Sequence, residues 1–210
     1  GFIVPAPGFL PTLLRWCRDN NVVLIADEVQ TGIARTGAMF ACEHEGVVPD
    51  FIAVAKGLTG GYMPLAATLT TERVFKSFLT PENTFFYGHS YCGNPLGGAA
   101  ALASLRIFRE EKVIENLAPK ILHFTALLGE LAQLPQVAEV RQCGLIAGIE
   151  LHARGTEPLG SRVCMAARKH GLLTRPILNT LVLMPPLCIT MTELSQMTTA
   201  LRLAIEEICS

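Results

Sequence analysis

Val22-Val-Leu-Ile-Ala-Asp-Glu28 and Phe51-Ile-Ala-Val-Ala-Lys-Gly57 are the two stretches on which the fold turns. Each is a short apolar run that stops at a charge, Asp27 in the first and Lys56 in the second. Uninterrupted runs of this kind are the pattern of parallel strands covered on both faces. Open α/β sheets place ligands beyond the carboxyl ends of such strands. Asp27 and Lys56, at a separation of 29 residues, are therefore expected at a ligand site. The competing reading is a buried strand-end ion pair with no ligand, since buried charges are usually paired for structural reasons.

The pattern continues outward from these runs. Leu10, Leu13, Leu14 and Cys17 recur at helical spacing and predict a helix over 11–20, with Pro11 in its first turn. Ala66-Ala-Thr-Leu-Thr70 is a third, weaker strand. Strand and helix alternating across short Gly-rich links indicate an α/β layer architecture. Residues 94–109 are Ala/Leu-rich and helical, with Pro95 tolerated in the first turn. A second long helix over 113–134 is expected to break at Pro119. After Pro135 the texture changes. Residues 137–141 and 145–151 read as paired strands around Cys143-Gly144, followed by a helix over 160–170 and short strands at 172–175 and 180–184. Thr190-x-x-Glu193 is a capping box that opens the last helix. The division expected is a first domain over 1–111 and a smaller α+β domain over 112–210.

Composition narrows the function. Half of the 210 residues are hydrophobic, 17% are charged and the net charge is −1, which gives no support for nucleic acid or an anionic membrane as a partner. Charges interrupt every apolar stretch before the ~18 residues a membrane span needs, and no signal peptide is expected at the start. The chain begins Gly1-Phe-Ile-Val-Pro5, as a strand already under way, and is expected to be a fragment of a longer protein. Seven scattered cysteines without CxxC spacing fit free thiols in a reducing compartment, the cytoplasm, rather than a disulfide scaffold. Cys42-Glu43-His44 lacks a second ligand pair at workable spacing for a metal.

The chemistry of the two charges suggests pyridoxal 5′-phosphate (PLP). That cofactor needs a lysine for its Schiff base and a carboxylate that keeps the ring nitrogen protonated, so that the ring accepts electrons. Lys56, expected to be partly buried and hence available as the neutral amine, would also be the general base of the 1,3-proton shift. Val29 would pack on the ring face and Gln30 would hydrogen-bond the ring hydroxyl. The glycines after Lys56 let the backbone approach a flat group. In Tyr87-Gly-His-Ser-Tyr-Cys-Gly-Asn-Pro95, Ser90 and nearby amides lie ahead of a helix N-terminus, a natural phosphate site. Alone, this block reads as no more than a capped helix, with His89 an ordinary surface or core histidine.

Together these segments resemble the class III, fold type I, PLP-dependent aminotransferases. Leu24-Ile-Ala-Asp-Glu-Val-Gln-Thr-Gly-Ile-Ala-Arg-Thr-Gly37, then Pro49-Asp-Phe51, then Lys56-Gly-Leu58 match that family's lysine-site signature. The likeness covers the whole chain but only about the C-terminal half of a typical member. Ala66-Ala-Thr-Leu-Thr-Thr71, Gly88-His-Ser-Tyr-x-Gly-Asn-Pro-Leu96, and Thr174-Arg-Pro176 with Leu183-Met-Pro-Pro-Leu187 are most similar to one branch. That branch aminates 8-amino-7-oxononanoate in biotin synthesis with S-adenosylmethionine as donor. Ornithine, acetylornithine and omega-amino acid branches are the alternatives, and a non-catalytic remnant is a third reading.

The resemblance implies part of a large-domain mixed sheet over 1–111 and a small α+β C-terminal domain over 112–210. It makes Lys56 the Schiff-base lysine and Asp27 the partner of the ring nitrogen. Gly88 would touch substrate, while His89 and Ser90 would hold the phosphate of the neighbouring subunit's cofactor, implying a homodimer with shared sites. Arg175 would grip the substrate carboxylate through paired hydrogen bonds, its alternative being an arginine paired with a core carboxylate. Arg35 would shape substrate selectivity, its alternative being a turn or helix-surface arginine. The rest of the family's cofactor cage lies outside this sequence, so the 210-residue piece alone is expected to be inactive or poorly folded.

Overall fold

The computed structural model describes residues 1–153 and 158–209. The chain divides into two compact units, Pro5–Ile114 and Glu115–Ser210, with Gly1–Val4 joined to the second.

In the first unit, strands β1 (Ile25–Asp27), β2 (Phe51–Val54) and β3 (Ala67–Thr70) form a mixed sheet in that order. β1 and β2 run parallel, with Asp27 opposite Ala53, and β3 returns antiparallel, with Ala67 opposite Val54. Helix α1 (Phe9–Asp19) begins after Gly8, whose φ of 83° turns the chain into it. Helix α2 (Glu72–Lys76) is short, and α3 (Pro95–Glu110) is capped by Asn94, whose side chain accepts the Leu96 N–H. Ile33, Val54, Leu58 and Ala101 form a buried cluster, joined by Met39, Phe40, Ile52, Leu65, Ala67 and Phe108.

The expected doubly covered first strand is corrected. β1 is three residues long and Ile25 at its start is 64% exposed. Val22 and Val23 are also exposed. Among the described residues β1 pairs only with β2, so it is an edge strand. An apolar run announces that a strand is suited to burial, and the described residues do not bury this one.

The second unit holds the largest fully buried side chains. Strands β4 (Val137–Cys143), β5 (Ile146–Leu151), β6 (Pro176–Ile177) and β7 (Thr180–Leu183) form an antiparallel sheet in the order β4-β5-β7-β6. A tight turn at Gly144 (φ 59°) joins β4 to β5. Helices α4 (Val113–Leu131), α5 (Leu159–Ala167) and α6 (Met191–Cys209) complete it. α4 runs unbroken through Pro119, correcting the expected break. Buried Leu117, Phe124, Leu128 and Leu131 along one face outweigh the single hydrogen bond that proline removes. Residues 172–175 form no strand. Their link to β7 is confined to Thr174, whose hydroxyl donates to the Val182 carbonyl, and Arg175, whose carbonyl accepts the Val182 N–H. The capping box forms in full: the Thr190 N–H and hydroxyl donate to the Glu193 carboxylate, and the Glu193 N–H donates back. No described helix is long and apolar enough to cross a membrane.

Candidate active site

Parallel pairing of β1 with β2 brings Asp27 and Lys56 to neighbouring strand ends, because Lys56 follows three residues after Ala53, the partner of Asp27. Both side chains are exposed. Asp27 Oδ1 accepts the Val29 N–H at 3.0 Å; among the described residues its second oxygen has no partner, and neither has the Lys56 ammonium. The buried ion pair is therefore ruled out, and so is partial burial of Lys56 by this chain. The strand ends open to solvent because β1 lies at the sheet edge.

Lys56 opens a 3₁₀ turn, Lys56–Thr59, with φ of 46°. A left-handed conformation in a residue with a Cβ costs about 1–2 kcal/mol, and such strain persists only where the surroundings hold it. Gly57 supplies part of the constraint. A Cβ there would lie 3.1 Å from the Ile33 Cβ, so glycine is needed for space.

The turn after Asp27 carries Val29, Gln30 and Arg35, all half-buried. Burial pushes the Arg35 guanidinium below its ordinary value. Arg35 lies in a turn and follows Ile33 and Ala34, both with positive φ. Gly88, His89 and Ser90 lie on the same unit's exposed segment. His89 Nδ1 accepts the Tyr91 N–H at 3.2 Å, and the His89 carbonyl accepts the Cys92 N–H at 2.9 Å. Ser90 sits in the turn ahead of α3, whose N-terminus is capped by Asn94. Phe86 (92% exposed), Phe85, Tyr87 and Tyr91 make this segment an exposed aromatic run.

Arg175 belongs to the second unit. Its guanidinium is exposed and, among the described residues, has no carboxylate partner, so the core ion pair is excluded. It lines a shallow cavity of about 440 Å³ with Arg168, Leu173, Thr174, Val182 and Met184, a cationic rim beside aliphatic walls.

Two carboxylates to which the sequence reading gave no role prove important. Glu28 is 3% exposed; its Oε1 accepts the Cys42 N–H at 2.9 Å and its Oε2 the Thr31 hydroxyl at 2.5 Å. Burial first, then the Glu28 charge, pushes the Cys42 thiol up to about 11. Asp50 Oδ2 accepts the Leu24 N–H at 3.0 Å and Oδ1 a hydrogen bond from Arg73 at 2.5 Å, tying the start of β2 to that of β1. The signal for both was an acid inside or beside an apolar run, which a solvated face does not require.

The family model for class-III aminotransferases matches residues 1–205. The adenosylmethionine-8-amino-7-oxononanoate aminotransferase of Nitratidesulfovibrio vulgaris is 47% identical over 98% of this chain and 40% of its own length. The protein of the same name in Geobacter sulfurreducens is 45% identical over 99% and 48%. The crystal structure of that aminotransferase from Methanocaldococcus jannaschii superposes with a TM-score of 0.94 at 41% identity, covering 99% of this chain and 51% of the other. An (S)-enantioselective omega-transaminase from Thermomicrobium roseum reaches the same TM-score at 31% identity, covering 100% and 49%. The chain thus spans about half the length of the relatives it matches. It shares the α/β, fold type I architecture of these PLP-dependent aminotransferases. With the lysine and aspartate at adjoining strand ends and the family pattern running through both units, the chain belongs to the class-III aminotransferases.

Proposed function

We propose that the protein carrying this chain transfers an amino group from S-adenosylmethionine to 8-amino-7-oxononanoate, giving 7,8-diaminononanoate for biotin synthesis. The observation that carries the reading is identity of 45–47% over nearly the whole chain to two aminotransferases of that name. The (S)-enantioselective omega-transaminase has an equal TM-score but only 31% identity. The fold therefore favours neither substrate, and a different class-III amine substrate is the second reading.

The residues present fit PLP. An unpaired lysine amine and a carboxylate with one free oxygen stand at adjoining strand ends, the donor set an aldehyde and a pyridinium require. When bound, the cofactor supplies an aldehyde that takes up the amine and a ring that stores the electron pair. Asp27 would hold the ring nitrogen protonated through opposite charge. Lys56 Nζ would anchor the cofactor and, once released, would carry a proton between the amine-bearing carbon of the substrate and the carbon that was the cofactor's aldehyde. Val29 and Gln30 line the ring, and Arg35 bears on selectivity. Arg175 grips the substrate carboxylate, a role supported by its exposed and unpaired guanidinium beside aliphatic walls.

Gly88 contacts substrate, and His89 and Ser90 serve the phosphate of a second copy's cofactor. The exposed aromatic run at 85–91 supports a homodimer, since large exposed apolar patches mark interaction surfaces. Residues 1–111 are the share of the large PLP-binding domain and 112–210 the small domain. The enzyme works in the cytoplasm, a location that the seven free cysteines suit.

The test is a panel of amino donors mixed with the PLP-loaded, full-length protein, followed by the cofactor's visible spectrum. S-adenosylmethionine is expected to convert it, and Lys56→Ala to abolish conversion. Failure with S-adenosylmethionine alongside success with ornithine or an omega-amino acid would remove the biotin assignment.

A further inference from the structure

Resting on the PLP reading of Asp27 and Lys56, we infer that Glu28 and Ile33 are positioning residues: a buried latch and a brace that hold the Lys56 backbone in its strained turn. The latch begins beside Asp27. The Glu28 N–H donates to the Ala53 carbonyl at 2.9 Å, continuing the β1–β2 pairing. Its side chain turns the other way, into the first unit, and spends both oxygens on the following loop, one on Thr31 and one on Cys42. The Glu28 carbonyl accepts the Gly32 N–H at 2.9 Å, and a Cβ on Gly32 would fall 2.7 Å from that oxygen. One buried residue thus fixes both ends of the segment 28–42.

The brace follows from the latch. Ile33 and Ala34 are held at φ of 56° and 64° and are 4% and 0% exposed, an arrangement two residues with Cβ atoms do not adopt unaided. The Ala34 N–H donates to the Met39 carbonyl, which closes the loop behind them. Ile33 then stands against Gly57, 3.1 Å from where a Cβ would sit. Gly57 is the residue after Lys56, whose own φ is 46°. Connected in this way, the buried carboxylate determines where the backbone of the reactive lysine can lie, without touching cofactor or substrate. Asp27 is set by the same device, because its neighbour's amide and side chain anchor it between β2 and the loop.

The test uses the full-length holoenzyme. Borohydride treatment followed by peptide mass reads the tagging of Lys56. The PLP dissociation constant and amide exchange of residues 29–42 are measured on the same samples. Glu28→Ala should weaken PLP retention about tenfold or more, a modest loss beside what misplacement by 1 Å can cost, and should release the protected amides of the loop. Glu28→Gln keeps a hydrogen-bonding group for each partner and should stay within about threefold of the parent. Should Glu28→Ala fail to fold, a cycle on the brace decides: Gly57→Ala is expected to cost about tenfold alone but less than about threefold in an Ile33→Gly background, where the opposing Cβ is gone. If Lys56 is not tagged in the unaltered holoenzyme, the PLP reading itself falls. If Lys56 is tagged but Glu28→Ala leaves affinity and loop exchange at parent values, the latch is overturned. An equal cost of Gly57→Ala in both backgrounds overturns the brace.

Discussion

The largest fully buried side chains of the described structure, among them Phe124, Leu117, Leu131, Ile149, Leu181, Leu201 and Ile205, all lie between residues 117 and 209. The unit bearing Asp27 and Lys56 contributes none of these, though Ile33, Val54, Leu58 and Ala101 form a buried cluster there, and it leaves Val22, Val23, Ile25, Phe85 and Phe86 exposed. In the second unit the central strands β5 and β7 are almost wholly buried. In the first, β1 is an exposed edge strand that ends beside the exposed Lys56. Apolar strands facing solvent are aggregation hazards unless covered, and among the described residues the Lys56 ammonium has no partner to contribute an ion pair. The contrast separates side chains that pack from apolar and charged side chains that the described residues leave uncovered.

Removing packing from each core tests this contrast most strongly. Phe124 is fully buried, and Phe124→Ala should destabilise the second unit by about 3–5 kcal/mol, transfer and cavity terms together. Val54, 3% exposed in the first unit's core, loses two methyl-sized groups in Val54→Ala, about 1.5 kcal/mol at ~0.8 each. Denaturant titration with amide exchange resolved by unit measures both. Equal losses would mean that the first unit is as well packed as the second.

A smaller effect is expected at the tightest glycine. Gly160 opens α5 against β6, and a Cβ there would meet the Leu178 carbonyl at 2.2 Å and the Pro176 Cβ at 2.8 Å. Alanine is the better helix former by ~1 kcal/mol, yet forcing backbone aside costs about 1–3 kcal/mol. Gly160→Ala should therefore lower the melting temperature despite its helical gain. A rise would show that the β6 edge yields freely, and the second unit would then be looser than its burial indicates.

Both units were legible in the sequence to different depths. The capping box at Thr190 and Glu193 and the Gly144 turn were readable because each is local: a hydrogen-bond exchange over four residues, and a tight reversal between two apolar runs. The approach of Asp27 to Lys56 followed from two strand-like runs and the parallel pairing they imply. The composition of Val22 to Ala26 does not itself give their exposure, since it is that of a covered strand whichever residues supply the cover. Glu28 was quoted in the signature without a role, because its partners Thr31 and Cys42 are chosen by the path of a loop that sequence spacing does not reveal. Pro119 misled for a related reason: the rule for proline is local, and the buried face that overrides it is not.

Asp50 brings the comparison down to a single hydrogen bond. Its carboxylate accepts the Leu24 N–H and an Arg73 hydrogen bond, while its backbone N–H donates to the Leu24 carbonyl and its carbonyl accepts the Thr71 N–H. It thus joins β1, β2 and the residue after β3 in the sparsely packed unit. The Leu24 amide, first, and then Arg73 hold the carboxyl below its ordinary value against the opposing effect of burial. A folded-state pKa that is depressed stabilises the fold above the unfolded value of ~3.9, and this contribution is lost as pH falls through the folded value. Asp50→Asn keeps an acceptor for Leu24 but no charge, so it should cost about 1 kcal/mol at neutral pH. That difference should shrink as the parent's carboxylate protonates in acid. Arg73 is 75% exposed at its side chain, and Arg73→Ala should change stability by less than about 0.5 kcal/mol. Amide exchange of β1 and β2 across the acid range measures both variants. A gap between parent and Asp50→Asn that stays constant with pH would assign the effect to shape, and the first unit would then depend on its small core rather than on charged links between strands.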